Sequence, residues 1–276
     1  MRLPTSQALL DTDKVVAYIE RCQTPDGGFF FARVPPACGM DTYHAVTALQ
    51  TLERSPSRPQ AVREWLKTAA AGLLPGHPRA VFHLTQTGLV LGMRLIVLRR
   101  WAAGLPSWEN DRGGFGAWHD LYVEVPSELE TTCCAVATRL DLDLGVDRER
   151  VSGFVLSFQN PDGGFGGNGR STLASTYYAV ATLARLGRET SELDRAAAWL
   201  SDRAKASRVG YLEQLYWLVA GLHALGREIP HEDRAVDVVL GCQTPSGGFG
   251  RAHVGIATLE YTHYALEILR GAGIVP

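Results

Sequence analysis

Two kinds of stretch alternate along the chain. In one, apolar residues recur at helical spacing with charge on the opposite face, as in DRERVSGFVLSFQ (147–159) and HEDRAVDVVLGCQ (231–243). That 3.6-residue period predicts helices lying on a surface. In the other, charge almost vanishes: DTYHAVTALQTL (41–52), TTCCAVATRL (131–140), STYYAVATLARLG (175–187) and YTHYALEILRG (261–271). Such segments predict helices buried on most sides. A Gly-Gly-Phe element lies between a wet helix and a dry one in CQTPDGGFF (22–30), DRGGFGAW (111–118), FQNPDGGFGG (158–167) and CQTPSGGFG (242–250). Paired glycines permit positive φ and close approach, which suits a tight reversal between helices.

The Gly-Gly pairs begin at 27, 113, 163 and 247, with spacings of 86, 50 and 84. The long gaps are about twice 42–43, so each hides a degenerate unit: RAVFHLTQTGLVLGMR (79–94) in one and YLEQLYWLVAGLHALG (211–226) in the other. Six αα-hairpins result, each with one wet and one dry helix. Dry helices inside and wet helices outside can close into a double-layered barrel; an open solenoid of helical pairs is the alternative. Residues 1–276 read as one such domain.

Composition narrows the function. Hydrophobic residues make up 46% and charged residues 20%, enough for a large core. A net charge of -2 gives no basic excess for phosphate backbones, so no nucleic-acid partner is expected. The most apolar run, Gly88 to Leu98, is broken by Arg94 and is too short to span a bilayer. The N-terminus lacks a signal-peptide core. Five cysteines, Cys22, Cys38, Cys133, Cys134 and Cys242, form no CxxC pair. These features together suggest a cytoplasmic, reduced protein.

QNPDGGFGG followed by STYYAVATLARLG resembles the repeats of protein prenyltransferase β subunits. The same Q-x-x-x-G-G-F element is similar to the repeats of squalene-hopene cyclases and other class II terpene cyclases. The resemblance covers essentially the whole chain and implies an all-α (α/α)6 toroid. In the prenyltransferases, zinc is held by an Asp-x-Cys and a His at inner-helix starts. The matching positions here are Leu212, Gln214 and Tyr261, none of which can serve as that ligand, so no metal site is expected. The cyclases carry D-x-D-D-T-A or D-x-D-T-T at an inner-helix start. In the third hairpin this chain has Glu128-Leu129-Glu130-Thr131-Thr132. The resemblance implies Glu130 as proton donor, Glu128 as its partner, and Thr131 and Thr132 orienting both. Burial and a neighbouring carboxylate raise a carboxyl pKa, by up to ~3–5 units for burial, and outweigh the opposing helix dipole. A solvated helix start is the plainer reading of the same acids.

A carbocation requires aromatic faces, whose quadrupoles stabilise it by ~0.5–2 kcal/mol each. Counted from the inner-helix starts, one arc carries Tyr43, Tyr177, Tyr216 and His263 with Cys133. Adjacent to it come His44, Cys134, Tyr178, Trp217 and Tyr264. Asp41 and Tyr261 stand at the starts themselves. The candidate substrate-binding set is therefore Asp41, Tyr43, His44, Cys134, Tyr177, Tyr178, Trp217, Tyr261, His263 and Tyr264. The expected activity is protonation-initiated cyclisation of an isoprenoid. The alternatives are a zinc-free relative that transfers or binds a prenyl diphosphate, and a toroid that only binds. No cofactor is expected, with Mg2+ entering only alongside a diphosphate substrate. A lone barrel must close its own cavity or borrow a second copy as a homodimer, and an isoprenoid partner is compatible with peripheral membrane contact. Arginine outnumbers lysine 24 to 3, so a rim of arginines could hold a diphosphate.

Overall fold

The computed structural model describes residues 10–72, 77–116, 125–188, 191–206 and 210–276. Among them twelve α-helices form, in chain order: α1 (Thr12–Glu20), α2 (Gly39–Thr51), α3 (Pro59–Ala71), α4 (Pro78–Val90), α5 (Leu95–Trp101), α6 (Val125–Asp141), α7 (Arg148–Leu156), α8 (Leu173–Arg185), α9 (Ser191–Lys205), α10 (Leu212–Ala224), α11 (Glu232–Gly241) and α12 (Leu259–Gly271). A 3-10 segment (Ala102–Trp108) follows α5, with Pro106 inside it; proline cannot donate the α-helical hydrogen bond. The even-numbered helices are the weakly charged ones. Each packs on its two even-numbered neighbours, and α12 packs on α2, which closes the inner ring. The odd-numbered helices form the outer layer. The chain is an (α/α)6 toroid, and the open solenoid is excluded.

The four Gly-Gly-Phe turns are superimposable in their bonding. The first glycine of each has positive φ: Gly27 105°, Gly113 92°, Gly163 94° and Gly247 96°. It lies against the outer helix of the following hairpin, on Ala61, Arg150, Arg195 and Lys14 respectively. The last of these is decisive for closure, because Gly247 meets α1. The phenylalanine of each turn is buried. Its backbone N–H donates to a threonine hydroxyl on the next inner helix: Phe29 to Thr42, Phe115 to Thr132 and Phe165 to Thr176, each 2.9 Å, and Phe249 to Thr262, 3.1 Å. These threonines therefore give a common register. In α4 and α10, which have no such turn, Val81 and Leu215 fall at the same level. No described helix is long and apolar enough to cross a membrane, and all five cysteines are free thiols.

Candidate active site

The register threonine points outward to its turn, so the residues two before it and one and two after it face the barrel axis. They line a cavity of about 370 Å³. The upper level holds Met40, Arg79, Glu130, Ala174 and Glu260. Below come Tyr43, Phe82, Cys133, Tyr177, Tyr216 and His263, then His44, His83, Cys134, Tyr178, Trp217 and Tyr264. The rings pack on one another: Tyr216 stacks on Tyr264 at 4.0 Å between centroids, and Tyr43 on His83 at 5.3 Å. The indole N–H of Trp217 is buried without a hydrogen-bond partner, which leaves a donor available to a ligand.

Glu130 sits at the upper edge of this aromatic chamber. Its Oε1 is 3.0 Å from Nε of Arg79. Burial pushes its carboxyl pKa up, while Arg79 and a hydrogen bond with Tyr178 pull it back; the net direction is upward. Glu260 is raised too, chiefly by burial, although the Tyr264 hydroxyl donates to it at 3.0 Å and partly offsets this. The floor histidines are held neutral. His83 is lowered to about 3 and His263 to about 4, with burial the largest cause in both. His44 is lowered well below its ordinary value by burial and by His263. Its Nδ1 lies 2.8 Å from Nδ1 of His263, so one ring donates to the other. Burial also raises Cys133 to about 11, which keeps that thiol protonated.

Several sequence expectations need correction. Glu128 does not pair with Glu130. Residues two apart on a helix point in different directions, and Glu128 lies beside Gly116, with the charge of Arg112 acting on it. Thr131 and Thr132 do not orient the acids: the Thr131 hydroxyl donates to the carbonyls of Phe115 and Glu128, and that of Thr132 bonds both N–H and C=O of Phe115. Asp41 does not face the cavity, because its Oδ2 accepts the N–H of Phe31 at 3.0 Å. Tyr261, one position before Thr262, is likewise off the lining and lies near Glu213, Glu260 and Arg251. The other expected residues, Tyr43, His44, Cys134, Tyr177, Tyr178, Trp217, His263, Tyr264 and Glu130, come together around one space. The sequence reading missed Arg79, Phe82 and His83, whose helix carries no Gly-Gly-Phe turn to set its register. Among the described residues no three His, Cys, Asp or Glu side chains are grouped to hold a metal ion.

The sequence profile of the prenyltransferase alpha-alpha toroid domain matches residues 3–72, 79–212 and 211–273. The chain belongs to this family. Curated proteins give no match. Solved structures similar to it include Candida albicans protein geranylgeranyltransferase-I complexed with GGPP (15% identity, 94% of this chain and 90% of that one, TM-score 0.76). A variant of the type II terpene cyclase MstE from Scytonema, in complex with geranylgeranyl dihydroxybenzoate, also matches (12% identity, 95% and 97% covered, TM-score 0.68). So does a protein from Actinoplanes (17% identity, 95% and 98% covered, TM-score 0.61). At these identities the likeness is one of fold, and function has to be argued from the site.

Proposed function

We propose that this toroid is an isoprenoid cyclase of the class II type, with Glu130 as the proton donor. The observation that carries the reading is a carboxyl raised by burial at the edge of a chamber walled by tyrosine, tryptophan, phenylalanine and histidine rings. In the reaction, the Glu130 O–H bond breaks and a C–H bond forms at a terminal alkene, leaving a tertiary carbocation. Internal alkenes attack in turn and close rings. Loss of a proton from carbon ends the sequence, so the product is an isomer of the substrate. Tyr178, Tyr216, Trp217 and Tyr264 present faces to the cation. His44, His83 and His263, being neutral, can accept the closing proton. A substrate that displaces water would raise Glu130 further.

The test is conversion of linear isoprenoids, free and as diphosphates, followed by mass spectrometry. The expected product has unchanged mass and fewer double bonds. Glu130→Gln keeps the shape and loses turnover by about 10⁴-fold or more, the upper end for general acid catalysis. Glu130→Asp retains part of it. Wild-type turnover falls as pH rises, because the acid loses its proton. Full activity in Glu130→Gln overturns the mechanism. Arg79 at the cavity edge favours a second reading, in which it holds the anionic head of a prenyl diphosphate. Release of inorganic diphosphate, or binding confined to the diphosphates, would select it.

A further inference from the structure

Two buried polar atoms on α10 have no hydrogen-bond partner among the described residues: Nε1 of Trp217 and Oε2 of Glu213. The residues are four apart, so both side chains stand on one face of the helix. Trp217 lines the chamber. Glu213 stands one turn above it, at the level of Glu130, and its charge acts on the lining carboxyl of Glu260. The other oxygen of Glu213 is engaged twice. Oε1 takes Nε of Arg251 at 2.8 Å and a terminal nitrogen of the same guanidinium at 2.6 Å. Arg251 is itself fixed. Its guanidinium lies over the Tyr211 ring, 4.0 Å from the centroid, and its carbonyl accepts the Leu212 N–H at 2.9 Å. The arginine therefore holds Glu213 as a carboxylate and leaves Oε2 as an open acceptor, on the same helix face as an open donor.

A buried donor and a buried acceptor left open side by side are costly unless one group meets both. An indole can only donate, and an ionised carboxylate can only accept. A hydroxyl answers both: its oxygen accepts from Trp217 and its hydrogen goes to Glu213. An ether oxygen would leave Glu213 unmet, and an anionic oxygen would face the Glu213 charge. We propose that Trp217 and Glu213 anchor a hydroxyl group of the substrate, so that the chamber is built for an isoprenoid with a neutral hydroxyl head, an alcohol or a phenol. The inference rests on reading the chamber as an isoprenoid site. It sets the head against α10 and leaves Glu130, on α6, to the terminal alkene. Both helices flank α8, so the chain between them folds back on itself through the aromatic rings, the shape that ring closure needs.

The experiment is titration calorimetry with farnesol, its methyl ether, the parent hydrocarbon without oxygen, and farnesyl diphosphate, with the geranylgeranyl series alongside. Circular dichroism verifies folding of each variant. Wild type should bind the alcohol at least about tenfold tighter than the ether, the hydrocarbon or the diphosphate. Trp217→Phe keeps a ring and removes the N–H; alcohol affinity should fall about tenfold while hydrocarbon affinity holds. In Glu213→Gln the remaining oxygen stays with Arg251, so an amide N–H replaces the open acceptor. The ratio of alcohol to ether affinity should then fall to about one. If Glu213→Gln does not fold, the four ligands on wild type decide. An unchanged ratio in folded Glu213→Gln overturns the anchor. So does a Trp217→Phe protein that loses stability but not alcohol affinity, because the two atoms then hold a structural water. A diphosphate bound tighter than the alcohol overturns it too and selects the Arg79 reading. None of these results touches Glu130, whose role is read from conversion. Failure of wild type to bind any of the compounds overturns the isoprenoid reading and this inference with it.

Discussion

Thr132 and Glu130 stand two residues apart on α6 and do opposite work. Thr132 faces the turn, and the same threonine-to-phenylalanine bond recurs at Thr42, Thr176 and Thr262. Glu130 faces the cavity, and at its level the other inner helices carry Met40, Arg79, Ala174, Glu213 and Glu260. The first position repeats in four of the six inner helices, and the second diverges. A joint calls for the same groups wherever it recurs, so sameness between units marks the joints. A site needs different groups converging on one point, so divergence at an inward-facing register marks the site.

The sharpest way to break the joint side of this comparison is Gly247→Ala. A Cβ there would lie 2.3 Å from the carbonyl oxygen of Lys14, on a backbone with φ of 96°. Neither strain can relax without pulling α11 and its turn away from α1, where the ring closes. The expected loss is more than about 4 kcal/mol, enough to prevent folding of a marginally stable chain. Native-like thermal unfolding of this variant would show that closure does not depend on the turn.

A smaller effect sharpens the cavity side. The buried histidines His44, His83 and His263 have pKa values below the ordinary 6.5. Below pH 6.5 the unfolded chain binds protons at these sites that the folded chain refuses. Their contribution is fully present above pH 6.5 and is lost as pH falls toward about 4 for His263 and about 3 for His83. Urea unfolding should lose on the order of a few kcal/mol across that window. Glu130 and Glu260, whose values are raised, act in the opposite sense: their contribution is full below their ordinary 4.5 and is lost as pH rises through the raised values. His83→Phe isolates the histidine contribution by flattening the slope. An identical slope in that variant would mean that His83 is not held neutral by burial.

Much of this was legible in the chain itself. The alternation of wet and dry segments and the recurring Gly-Gly-Phe element are enough for six hairpins, because four are marked by the turn and the doubled spacing between turns reveals the other two. The aromatic arc followed from the inner helices whose starts are marked by a turn or could be aligned with one. One gap falls where that marking is missing, and two errors fall on helices that carry it. In α4, Val81 replaces the threonine, so Arg79, Phe82 and His83 had no register and the cation beside Glu130 went unseen. In α2, Asp41 stands at the helix start, in register with Tyr261, one position past the inward level that Met40 holds, and it accepts the Phe31 N–H instead of facing the cavity. Spelling misled at Glu128: a two-residue spacing that reads as a pair in one dimension divides across two faces of a helix.

The central claim is that Glu130 belongs to the cavity and Thr132 to the joint. One paired measurement tests it: urea stability and isoprenoid conversion for Glu130→Gln and Thr132→Val side by side. Thr132→Val leaves the buried Phe115 N–H without its acceptor, a loss of about 1–3 kcal/mol, and the protein that remains folded should turn over substrate near the wild-type rate. Glu130→Gln should unfold close to the wild-type midpoint and convert nothing measurable. A Glu130→Gln protein that is destabilised but active, beside a Thr132→Val protein that is stable but inactive, would contradict the assignment.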